Sequence, residues 1–174
     1  MQKHLFSLLI SAITLFFGSK ATAQDSIPCN DQRFEDILLE NLQGRWIGKG
    51  QVGGDAVTYA FDITWELNHQ FLQLAFTDVS QPPQYVAKVF IGYDCVLHKY
   101  VMHWLDNFGG RFSETLAYGE KSGHAIAFHF AYPDGPFTNT LTYDPVKDSW
   151  NMKMIYQNKQ GGWDVFGEVG LKRE

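Results

Sequence analysis

Between Val57 and Leu67 the chain alternates without a break. Val57, Tyr59, Phe61, Ile63, Trp65 and Leu67 fall on one parity; Thr58, Asp62, Thr64 and Glu66 fall on the other. A period of two places successive side chains on opposite faces of a strand, whereas a helix would scatter these residues around its axis. The pattern recurs in Tyr100/Met102/Trp104, Phe112/Glu114/Leu116/Tyr118, Ile126/Phe128/Phe130, Phe137/Leu141/Tyr143, Trp150/Met152/Met154/Tyr156 and Trp163/Val165/Val169/Leu171. Turn-forming clusters separate the runs, among them Gly53-Gly54-Asp55, Pro82-Pro83, Asp106-Asn107, Lys121-Ser122-Gly123, Pro133-Asp134-Gly135 and Gln160-Gly161-Gly162. The spacing predicts about ten strands joined by hairpin-length turns, an antiparallel meander. Closing such a meander removes its exposed edges, so an up-and-down barrel is expected over a sandwich.

One helix precedes the strands. Phe34, Ile37, Leu38 and Leu42 recur at helical spacing, Asn30 or Asp31 can cap it, and Asp31, Glu35 and Asp36 suit its N-terminal half. Gly44 is expected to end it. With no linker, repeat or low-complexity tract, residues 44–174 are read as a single barrel domain, preceded by a leader and short helix over 24–43.

Residues 1–23 read as a secretory signal peptide: Lys3, an apolar run from Leu5 to Phe17, then Ala21-Thr22-Ala23 as an A-x-A cleavage site. The run is too short to span a bilayer, and no later stretch is long enough, so no membrane span is expected after cleavage. The expected address is periplasmic or secreted. There an oxidising environment permits a bridge between Cys29, just before the domain, and Cys95, in a predicted turn. Two separate thiols, or a reactive Cys95 near His98 and Lys99, are the alternatives. The net charge of −5 argues against a nucleic-acid partner, which requires basic residues to neutralise phosphates.

Chemistry-bearing motifs are sparse. Gly48-Lys49-Gly50-Gln51-Val52-Gly53 spells G-x-G-x-x-G, but a turn and another strand follow where a dinucleotide site needs a helix. These glycines are better explained by a bent strand passing close to the helix. His98 and His103 are five apart, as are His124 and His129, so each pair falls on opposite strand faces and no metal is expected. No G-x-S-x-G elbow is present. Glu114 stands apart among the carboxylates, because it shares a parity with Phe112, Leu116 and Tyr118. On an inward face it would need a partner or a raised pKa, and this makes it the leading polar candidate. His103, Arg111 and His129 are candidate polar neighbours. Asp106-Asn107 reads first as a turn and second as a recognition pair at a barrel mouth.

Gly44-x-Trp46 at the start of the first strand, Gly92-Tyr93-Asp94, Tyr100 and Trp104-Leu105-Asp106-Asn107 together resemble the calycins, the lipocalin and fatty-acid-binding-protein group. More specifically they are similar to an exported bacterial lipocalin-like family, and the likeness covers Leu42 to Lys172. It implies a calycin barrel around a small apolar ligand, with Trp46 packed under the helix at the closed end. Haem-binding calycins share G-x-W-x-G, matched by Gly44, Trp46 and Gly48, but they use a histidine near the C-terminus. No histidine follows His129 here, so no cofactor is expected. The expected pocket face carries Trp46, Tyr59, Phe61, Trp65, Tyr100, Trp104, Phe112, Leu116, Tyr118, Phe128 and Met152, with Glu114 orienting the polar end of a ligand. The leading reading is non-catalytic binding. An enzyme using Glu114, His103 or His129 for acid–base chemistry and a filled structural or partner-binding barrel are the alternatives. The sequence leaves the oligomeric state open.

Overall fold

The computed structural model describes residues 33–111, 113 and 115–174. The expected signal peptide, the leader up to residue 32 with Cys29 and both proposed caps, and the candidates Phe112 and Glu114 lie outside them.

The described residues form a short helix, α1 (Ile37–Glu40), followed by ten strands. These are β1 (Gly44–Val52), β2 (Asp55–Glu66), β3 (Phe71–Asp78), β4 (Val86–Asp94), β5 (Lys99–Asp106), β6 (Ala117–Ser122), β7 (Ala125–Tyr132), β8 (Gly135–Asp144), β9 (Ser149–Gln157) and β10 (Trp163–Arg173). Each strand pairs antiparallel with its neighbours in sequence, and β1 pairs with β10, which closes the barrel. The fold is therefore the all-β, up-and-down, ten-stranded barrel expected from the alternation. Inward positions carry the core: Tyr59, Phe61 and Ile63 on β2; Leu72, Leu74 and Phe76 on β3; Ile126, Phe128 and Phe130 on β7; Trp150, Met152 and Met154 on β9.

The helix differs from expectation. It has a single turn, and Asp36, not Asn30 or Asp31, is its N-cap, accepting from the Leu39 N–H at 3.0 Å. Ile37 is 86% exposed, while Phe34, Leu38, Leu39 and Leu42 are buried. Asn41 caps the C-terminus, and Gly44 already belongs to β1. What holds this segment is tertiary packing across one end of the barrel. Phe34 lies 5.7 Å from both Trp65 and Tyr93, and its N–H donates to the His69 carbonyl at 3.1 Å. Beneath it the fully buried Trp46 donates from Nε1 to the Leu42 carbonyl at 2.7 Å, as expected for the closed end.

Leu116 and Tyr118, the described end of the predicted Phe112–Tyr118 run, also depart from expectation. β6 begins only at Ala117, and its inward residues are Ala117 and Gly119, so Leu116 and Tyr118 are exposed on the outer side. The cause is the Phe128 ring from the next strand. A Cβ at Gly119 would sit 2.7 Å from it, so the small residues must face inward here. At the start of β10 a bulge between Val165 and Gly167 shifts the register, leaving Trp163 and Val165 outside while Val169 and Leu171 remain in the core. The G-x-G of β1 serves the barrel and not the helix: Gly48 faces the Phe61 ring and Val169, and Gly50 faces the backbone of β10.

Candidate ligand site in the barrel and at its mouth

Two ends of the barrel follow from strand direction. α1 and the turns after β2, β4, β6 and β8 cover one. The turns after β1, β3, β5, β7 and β9 surround the other, the mouth.

Inside, the middle of the barrel is occupied by rings. Phe61 stacks on Phe76 at 4.6 Å and overlies Gly48, and Phe128 overlies Gly119 and contacts Tyr100 edge-on at 6.5 Å. Within this apolar wall stands Asn139 on β8, fully buried, between its register partners Phe128 and Met154. Among the described residues neither its amide nitrogen nor its amide oxygen has a hydrogen-bond partner. Leaving such a group unpaired costs about 1–3 kcal/mol, so a hydrogen-bonding partner at this amide would be stabilising. The indole nitrogen of Trp65 is similarly without a partner among the described residues, but it lies at the closed end, where its ring stacks on His69 at 4.0 Å.

The mouth is aromatic and carries one carboxylate on the inward parity of β5. Trp104 Nε1 donates to the Tyr85 hydroxyl at 3.0 Å, and that hydroxyl donates to Asp106 Oδ2 at 3.1 Å. Asp106 Oδ1 accepts from the Phe108 N–H at 3.0 Å. Tyr85 also packs against Tyr59, Phe76 and Phe108, each ring 5.7 to 5.8 Å away. Tyr132 stacks on Phe130 at 5.1 Å and packs on Phe137, which reaches Phe166. Burial, and then the nearby Asp106 charge, hold the Tyr85 phenol far above its ordinary range and push Tyr132 up to about 12. Both are neutral donors at physiological pH. Among the described residues β6 pairs with β5 over Tyr100, Val101 and Met102.

The sequence candidates separate clearly. Tyr59, Phe61, Tyr100, Phe128 and Met152 are buried and inward, and Trp65 and Trp104 pack against that core. Tyr118 is on the outside. His103 faces outward, edge-on to Phe71 at 6.1 Å, and His129 faces outward with Nδ1 3.0 Å from the Thr138 hydroxyl. Neither histidine reaches the interior, because each sits on the parity opposite to its apolar neighbours. Arg111 is exposed and lies 3.5 Å from Asp134. Asn107 serves the turn, accepting from the Val86 N–H and donating to the Gln84 carbonyl, while Asp106 is shared between turn and mouth. Asn139 and Tyr85 went unread in the sequence. Asn139 has the parity of Phe137 and Leu141, which was its only signal, and Tyr85 follows the Pro82-Pro83 turn, where no period exists.

A groove of about 740 Å³ lies elsewhere, on the outer wall near the closed end, flanked by Lys49, Lys147 and Lys172. It shares no residue with the mouth. No family model matches the chain, and none of the curated proteins matches it.

Proposed function

We propose that this chain is an exported, lipocalin-like barrel that binds a small, largely apolar molecule through its mouth without transforming it. The observation that carries this reading is Asn139, a fully buried amide set between Phe128 and Met154, whose donor and acceptor have no partner among the described residues. An apolar pocket with a few convergent polar groups is the usual design of a small-molecule site. An amide and neutral phenols orient a ligand well and exchange protons poorly at neutral pH, which supports binding over acid–base chemistry. The G-x-W at the closed end, with Trp46 beneath the α1 segment, supports the calycin comparison. The proposal includes a Cys29–Cys95 bridge tying the leader to the turn after β4.

A filled barrel is the second reading, favoured by the Phe61 and Phe128 rings lying directly over Gly48 and Gly119. One experiment separates the two. Mass spectrometry of protein expressed in its own host is expected to give a chain starting at Gln24, lighter by two hydrogens than the dithiol, and a small-molecule adduct under native conditions. A chain retaining residues 1–23 would overturn export, and an unchanged mass on reduction would overturn the bridge. A spectrum with no adduct, from protein that also fails to take up an apolar dye, would establish the filled barrel.

A further inference from the structure

Asp106 is the inward carboxylate of β5 at the mouth, and its partners among the described residues are neutral: the Tyr85 hydroxyl and the Phe108 N–H. None of the ion pairs among the described residues includes it. Aromatic residues cluster beside it: Tyr85 through its hydroxyl, Trp104 through its bond to that hydroxyl, and Phe108 through its N–H. Phe108 is 71% exposed although its ring is only 5.7 Å from Tyr85, so this side of the cluster is open to solvent. Tyr132 is close enough for the Asp106 charge to raise its pKa. The wider rim has the same sign. Asp55, Asp78, Asp134 and Asp164 lie at strand ends or turns around the mouth, with Lys88, Arg111 and Lys159 as the opposing charges among the described residues. A negative charge in low-dielectric surroundings attracts a cation more strongly than it would in water, and aromatic faces add to that attraction.

We propose that the mouth selects organic cations: the ligand carries an ammonium group that sits between the Asp106 carboxylate and the rings of Tyr85, Trp104, Phe108 and Tyr132. Its apolar body extends into the barrel. A small, strongly hydrated metal ion is a poor fit, because it demands several oxygen ligands and Asp106 is the one carboxylate in this cluster, the rest being aromatic faces and neutral hydroxyls. A weakly hydrated alkylammonium matches both the carboxylate and the aromatic faces. This inference rests on the barrel being ligand-binding, and the experiment keeps the two apart.

Nile red is first bound to the intact protein, then displaced by decyltrimethylammonium, decanol or decanoate, each below its aggregation concentration. The three share one chain and differ in head charge. The cation is expected to displace the dye at about tenfold lower concentration than decanol, and decanoate at higher concentration than either. Asp106→Asn keeps the acceptor for Phe108 and is nearly isosteric, and it is expected to bring the cation and alcohol values together. Should the variant fail to fold, Trp104→Phe provides the second arm, with the preference expected to shrink. Equal displacement by all three compounds would overturn the cation inference while leaving ligand binding intact. Failure of the dye and all three compounds to bind would overturn both.

Discussion

Replacing Gly50 with alanine is expected to destabilise the protein by about 3 kcal/mol, the upper end of the ordinary cost of overpacking. An ideal Cβ at this position would lie 1.8 Å from the Glu168 carbonyl oxygen and 2.8 Å from the Val169 Cα. Those atoms are backbone on β10, so no side-chain rotation relieves the clash; β1 and β10 must separate. That seam is what closes the barrel. It runs from Trp46 opposite Arg173 to Val52 opposite Gly167, and a Cβ added at Gly167 would likewise lie 2.9 Å from the Gln51 carbonyl oxygen. Gly110→Ala is the control, because nothing lies within 4 Å of its added Cβ and its backbone needs no positive φ. Its effect should stay within about 0.5 kcal/mol. Urea unfolding of both variants checks the pair. A Gly50→Ala protein as stable as its parent would mean that β1 and β10 do not meet in this register.

Asp36→Ala is expected to cost about 3–4 kcal/mol. The Asp36 side chain is wholly buried beneath the α1 segment and serves three partners at once: the Leu39 N–H at 3.0 Å, the Tyr100 hydroxyl at 2.5 Å and Lys121 Nζ at 2.9 Å. Removing one member of a buried pair leaves the other uncompensated, a loss of roughly 3–5 kcal/mol. The Lys121 side chain retains 30% exposure and can turn toward water, which places the expected value at the lower end. Loss of the cap adds roughly 1 kcal/mol. Asp36→Asn keeps the cap and an acceptor for Tyr100, so its cost should be clearly smaller. Denaturant midpoints for both variants give the answer. A loss under about 1 kcal/mol for Asp36→Ala would show that the plug is held by Phe34, Leu38, Leu39 and Leu42 alone.

How far these features could be read in advance depends on whether periodicity reports them. The barrel was legible because every strand must bury one face, and Val57 to Leu67 declares that face residue by residue. Where a neighbouring strand's ring dictates the facing residue, periodicity misleads. Leu116 and Tyr118 look like an inward pair until Phe128 claims the space over Gly119. α1 shrank to one turn because Asp36, which a helix-dipole argument places on the surface, is drawn into the barrel end by Tyr100 and Lys121. Those partners lie 64 and 85 residues away, beyond the reach of any local pattern. The mouth was half legible. Trp104 and Asp106 follow the alternation of β5, whereas Tyr85 arrives from an aperiodic turn. Asn139 was concealed by its own chemistry, since a polar residue between Phe137 and Leu141 reads as an interruption of a core face.

The most direct test of ligand binding inside the barrel is the affinity of Nile red for Asn139→Leu, measured alongside unfolding in urea. Leucine is close to asparagine in size and has no polar atoms to leave unpaired, so stability is expected to be unchanged or raised. Dye affinity is expected to fall by about tenfold, the equivalent of one hydrogen bond to the amide. A variant that binds the dye as tightly as the parent, or one that is markedly less stable, would contradict the account. It would mean that the Asn139 amide serves the fold and not a ligand.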